Sequence, residues 1–143
     1  MNILLGIAAM VICLVIQSLL ILFTVRYYVR MIDEHVNDSL AFGLLVINGI
    51  MIVQVVGIIA QIIVWAALFV VLGEFEDVYV AAYHSAVNFA TLGYGDIVMS
   101  PAHRALGPLE AVSGAMMIGS TTAIMMSVIQ DMLKRAWSGA APR

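Results

Sequence analysis

Thr91-Leu92-Gly93-Tyr94-Gly95-Asp96 is the stretch on which the fold of this chain turns. In an extended loop, two glycines spaced two apart let the backbone enter dihedral regions that a side-chain-bearing residue resists, so that successive carbonyl oxygens turn the same way. Several such loops around one axis make stacked oxygen rings. Rings of that kind replace the water shell of a dehydrated cation, and a row of sites lets ions displace one another.

Around this loop the composition demands a bilayer. The chain has 143 residues, 64% of them hydrophobic and only 10% charged, with a mean hydropathy of +1.08, which no water-soluble domain of this length sustains. A net charge of −3 argues against a nucleic-acid partner. The single Cys13 lies in an apolar segment and is expected to be a packing residue. No nucleotide motif, metal cluster or nucleophile-base arrangement is apparent, so neither an enzyme nor an organic cofactor is expected.

Three apolar stretches divide the chain. Asn2 to Val25 is uncharged and, at about 1.5 Å per residue, long enough to span the hydrocarbon. Ala41 to Gly73 is broken only by Asn48, Gln54, Gln61 and scattered glycines, and Ala105 to Gln130 carries Glu110 as its one charge. The stretch from Glu74 to Arg104 is too polar to cross, but has room for a short helix over 78–90, with Glu76 or Asp77 as its N-terminal acid, then the loop and an extended return. The first stretch lacks a positive n-region and a small-residue cleavage site, so it is expected to be a membrane helix. It contains no arginine over 2–25 and is no voltage sensor.

The loop and its surroundings resemble the tetrameric potassium channels, whose filter consensus is Thr-Val-Gly-Tyr-Gly-Asp, with Leu92 here in place of Val. The resemblance implies an all-α membrane protein: three transmembrane helices plus a pore helix and a selectivity-filter loop, assembled as a homotetramer around a central pore. Residues 1–40 would form an extra helix and loop beyond the family's two-helix plan. Residues 41–133 would form the pore domain, with an outer helix at 41–73, pore helix at 78–90, filter at 91–96 and inner helix at 105–133, and residues 134–143 a short tail. It further implies K⁺ ligation by the carbonyls of Thr91, Leu92, Gly93 and Tyr94, with the Thr91 hydroxyl completing the innermost site. Tyr94 would project backward into a cuff around the filter. Gly95 and Asp96 would brace the outer end, Asp96 taking a hydrogen bond from Tyr83 or His84. Val87 stands where some members place a Glu.

Further residues are read singly. Glu110, early in the third span, needs a partner in Arg104 or His84, a proton, or interfacial water. Gly114 and Gly119 fit either a hinge or helix packing. Ser120, Thr121, Thr122 and Ser127 fit a hydrated cavity lining or hydroxyls bonded back to helix carbonyls. Gln17 would fall in depth between Gln54 and Gln61, either pairing with them or facing elsewhere. Glu74, Glu76 and Asp77 look like a solvated acidic rim, and His35, His84 and His103 are the candidate pH sensors.

Arg26, Arg30, Lys134 and Arg135 lie on one side of the spans, and the acidic loop region on the other. The positive-inside rule therefore puts the N-terminus and loop outside and the C-terminus in the cytoplasm, consistent with a prokaryotic inner membrane. The function implied is passive K⁺ conduction with the bilayer, K⁺ and three further copies as partners. The alternatives are a weakly selective cation channel and a non-conducting assembly or regulatory subunit.

Overall fold

The computed structural model describes residues 2–34 and 40–139. Every regular element among them is helical: α1 (Asn2–Glu34), α2 (Leu40–Val71), α3 (Val78–Phe89) and α4 (Leu106–Gly139). Three of these, α1, α2 and α4, are long and apolar enough to cross a membrane. At 33 residues α1 is about 50 Å long, well beyond a hydrocarbon core of about 30 Å. Its last two and a half turns carry Arg26, Arg30 and Asp33. The helix therefore runs past Val25, where the apolar stretch ends, because charged residues that emerge from lipid do not break an α-helix. Likewise α4 continues through Lys134 and Arg135 to Gly139. His35 and residues 140–143 lie outside the described residues.

α1 packs against both α2 and α4, and α3 sits at one end between α2 and α4. Two apolar clusters hold the bundle. The one near α3 contains Cys13, Trp65, Phe69, Phe89, Leu106 and Met117, and the other, toward the opposite end, is built on Val46, Ile50 and Val128. Close approach is enabled locally by small residues, since a Cβ at Gly57 would run into the Leu20 side chain.

Between the clusters the helices are joined by side-chain hydrogen bonds. Gln17 Nε2 donates to Ser120 Oγ at 2.7 Å, while its Oε1 accepts from Gln61 Nε2 at 3.4 Å. One turn or two further on, Gln54 Nε2 donates to Thr24 Oγ1 at 3.2 Å and Gln54 Oε1 accepts from Thr121 Oγ1 at 3.4 Å. Each set links α1, α2 and α4. Near the end remote from α3, Tyr28 donates to Asp131 at 2.8 Å, and Arg135 donates to the same oxygen at 2.7 Å. The pairing expected of Gln17 is present, and it includes a third helix that the depth argument did not supply.

Gln17→Leu leaves the Gln61 amide and the Ser120 hydroxyl short of a partner in a buried site. It is expected to destabilise the protein by about 1 kcal/mol, the usual size of a hydrogen bond between membrane helices. A lowered melting temperature in detergent checks this, and an unchanged one would show that the amide ladder adds nothing to stability.

Candidate functional site

The site is built at the end of α3. Asp77 caps the N-terminus, its carboxylate accepting from the Tyr79 N–H at 2.8 Å. At the other end Thr91 N–H donates to the Asn88 carbonyl at 2.8 Å and Leu92 N–H to the Val87 carbonyl at 2.9 Å. This pair of bonds is a Schellman turn, which requires a left-handed residue just past the cap. That residue is Thr91, with φ +58°. A β-branched residue there is unusual, because its Cβ crowds the following carbonyl. No feature of the sequence marked it.

Beyond Thr91, Gly93 (φ +56°) and Gly95 (φ +73°) are also left-handed, whereas Leu92 and Tyr94 are not. In an ordinary strand successive peptide groups alternate in direction. Reversing the hand at every second residue is the backbone condition for carbonyls to turn to a common side. The α3 C-terminus, with its partial negative charge, lies directly against the start of this loop. Thr91 to Asp96 are all exposed, and Leu92 and Tyr94 keep 54% and 65% of their surface accessible on the single chain.

The return strand, the non-helical stretch 96–103 that follows the loop, is tied down by α3. Tyr83 Oη donates to Asp96 Oδ2 at 2.7 Å, and this hydroxyl is the main reason the Asp96 carboxyl titrates below its ordinary range. The donor to Asp96 is thus Tyr83, and His84 is used elsewhere. Its Nδ1 lies 3.1 Å from the Ile97 carbonyl, and its Nε2 lies 2.9 Å from Asn88 Nδ2. A carbonyl can only accept and an amide nitrogen only donate, so Nδ1 carries the proton and the ring is neutral. Burial lowers the His84 pKa, consistent with that form. Phe69 and Phe75 pack their rings on it at centroid distances of 5.7 and 5.1 Å.

Glu110 is fully buried on α4, and its Oε1 meets the Ser85 hydroxyl of α3. The expected partners Arg104 and His84 do not reach it by any ion pair among the described residues, and it does not face interfacial water. Ser85 also lies 3.0 Å from the Ile62 carbonyl of α2, so one hydroxyl joins three helices. Among the described residues no group hydrogen-bonds to Glu110 Oε2. Ser85 was not singled out in the sequence, because a serine on a short helix carries no distinguishing signal there.

The small and hydroxyl residues of α4 and the acids before α3 fall in distinct surroundings. A Cβ at Gly114 would collide with the Phe89 carbonyl, so this glycine lets α4 cross close to the end of α3. Gly119 has nothing near its Cβ position, and α4 passes through both without a break. The hydroxyls of Ser120 and Thr121 are bonded within the bundle, to Gln17 and Gln54. Ser127 is exposed, as is Thr122, whose hydroxyl returns to the Ile118 carbonyl. Glu74 is no solvated rim residue: it binds Ser100 and His103 across the loop.

A family model described as an ion channel matches residues 51–131, more than half of the chain. The protein belongs to this ion-channel family, and its three apolar helices make it an integral membrane protein. No curated protein and no solved structure matches it. The matched span runs from the middle of α2 through α3 and the Thr91–Asp96 loop to Asp131 of α4, leaving α1 outside it.

Two predictions follow from the groups around α3. Glu110→Gln keeps an acceptor for Ser85 without a buried charge and should melt at or above the wild type, whereas Glu110→Ala, which opens a cavity beside Ser85 and leaves it the Ile62 carbonyl alone, should lose about 2 kcal/mol or more. A Gln variant that melts as low as the Ala variant would refute this. For His84 the folded pKa is depressed, so the unfolded chain takes up a proton first. Its contribution to stability is complete above the unfolded value of about 6.5 and falls as pH drops below it. Thermal melts between pH 7.5 and 5 should show a shallower decline in His84→Gln than in the wild type.

Proposed function

We propose that four copies of this chain surround a central pore selective for K⁺, which conducts passively down its gradient. The observation that carries this reading is the alternation of backbone hand at Thr91, Gly93 and Gly95, set directly after a capped helix whose C-terminus faces the loop. In this reading the carbonyls of Thr91, Leu92, Gly93 and Tyr94 hold dehydrated K⁺, with the Thr91 hydroxyl at the innermost site. K⁺ is the permeant ion, and no other cofactor takes part. Tyr83 and His84 brace the loop through Asp96 and Ile97, Gly95 supplies the outer turn, and Glu110 supports α3 from behind through Ser85. One chain has one such loop, so four are needed to close a ring. The exposed Leu92 and Tyr94 side chains would find their cover in neighbouring copies.

The same reading places the Thr91–Asp96 end outside and the Arg26, Arg30, Lys134 and Arg135 end in the cytoplasm of a prokaryotic inner membrane. Within α4, Gly119 and Ser127 lie on the surface left uncovered by α1, α2 and α3, and this is the surface we assign to the pore axis.

The test is ion flux from purified protein in liposomes. K⁺ efflux that Ba²⁺ blocks and that far exceeds Na⁺ efflux is the expected result. Comparable Na⁺ and K⁺ flux would instead make this a weakly selective cation channel, and no flux across lipid compositions and pH values would make it a non-conducting subunit. Gly93→Ala forces a Cβ into left-handed backbone at a strain of about 1 to 2 kcal/mol, and K⁺ flux should fall at least about tenfold.

A further inference from the structure

Glu74 occupies a defined point on the backbone. At the end of α2 the Gly73 N–H donates to the Val70 carbonyl and the Glu74 N–H to the Phe69 carbonyl, both at 3.0 Å, with Gly73 left-handed at φ +71°. This turn aims Glu74 across the bundle end at the segment after the loop. Its carboxylate accepts from the Ser100 backbone N–H, from Ser100 Oγ at 2.8 Å and from His103 Nδ1 at 2.6 Å. Burial opposes ionisation of this carboxyl, but the Ser100 N–H, the His103 ring and the Ser100 hydroxyl together outweigh it and hold its pKa below the ordinary value. The next residue, Phe75, lays its ring on His84.

The return strand is therefore fixed at three points: Asp96 by Tyr83, Ile97 by His84 and Ser100 by Glu74. The first two anchors belong to α3 and move with it. Glu74 alone of the three ties the strand to α2. Charge-assisted bonds of this kind are about twice as strong as neutral ones.

We propose that Glu74 is a positioning residue for ion selection, fixing the far end of the return strand to α2 so that the Gly93–Asp96 backbone keeps its alternating geometry. It touches no ion and acts only through Ser100 and His103. The proposal rests on the channel reading above and adds to it a second anchor system, independent of the α3 side chains.

Two readouts test it on the full-length protein. Hydrogen exchange over residues 96–103 in detergent needs no conduction, and Glu74→Ala should speed exchange at the Ser100 amide by about tenfold or more. K⁺ and Na⁺ efflux from liposomes should then show a K⁺/Na⁺ ratio reduced severalfold in Glu74→Ala and less in Glu74→Gln, which retains one acceptor, with assembly state unchanged. If Glu74→Ala fails to assemble, Ser100→Ala, which removes one donor, should move both readouts in the same direction by a smaller amount. Unchanged exchange would overturn the anchor itself. Faster exchange with an unchanged ion ratio would overturn its role in selection, and absence of flux from the wild type would overturn the channel reading on which that role depends.

Discussion

Hydrocarbon supplies no hydrogen-bond partner, and the placement of almost every polar group in this protein obeys that constraint. Within the spans, Gln17 and Gln61 bond each other, and the three glutamines Gln17, Gln54 and Gln61 are further satisfied by three hydroxyls and a thioether instead of facing lipid. The hydroxyls of Ser18, Ser120 and Thr122 and the Asn48 amide return to carbonyls of their own helices. Among the described residues the non-helical backbone lies in the two connections on either side of α3. The constraint also acts on the loop itself. Irregular backbone is tolerated at membrane depth only where protein or a water-filled cavity covers it, and on a single chain Thr91 to Asp96 are uncovered.

The same constraint explains what α1 is for in the fold, although the matched ion-channel span begins only at residue 51. α1 adds a partner to each of the two mid-bundle amides of α2, Gln17 to Gln61 and Thr24 to Gln54, and Gln17 also bonds Ser120 of α4. It also contributes Tyr28 to the Asp131–Arg135 pair near the other end. Remove α1, and Ser120, Gln61 and Gln54 each lose a partner within an apolar slab. The helix is thus a strut built into the subunit, with contacts along its whole length, and not an appended anchor.

The legible parts of the sequence were those written in long runs or in a dense motif. Apolar runs placed the three spans, and the Gly-Tyr-Gly spacing placed the left-handed positions at 93 and 95. Positions where a span ends were less legible, because Arg26 and Lys134 mark the limit of the apolar run and not of the helix. Pairings were least legible of all. Glu74 looked like one of three similar acids, and only the fold, which brings residue 74 beside residues 100 and 103, separates it from Glu76 and Asp77. Ser120 and Thr121 carry the same hydroxyls whether they face a cavity or a neighbouring helix, and rotation about the α4 axis is not written in any local pattern.

Thr91 is the sharpest case of a local rule overridden. α2 and α3 end in the same Schellman turn, with Gly73 in the left-handed position of the first and Thr91 in that of the second. Glycine adopts that conformation without a steric penalty, while a β-branched residue is strained by about 1 to 3 kcal/mol. Where α2 only has to stop, the unstrained residue is used. Where α3 hands the chain to the loop, the strained one is used, and the strain persists because Asn88, Val87 and the neighbouring packing of Phe89 against Gly114 over-determine the turn. Glycine in that position would relax the turn but widen the range of backbone angles open to the first residue of the loop, and with it the direction of every carbonyl that follows. A threonine held there by its surroundings has far fewer states to visit. The strain at residue 91 and the order of residues 92 to 95 are therefore two aspects of one arrangement, in which the end of α3 sets the conformation of a loop that is exposed on the single chain.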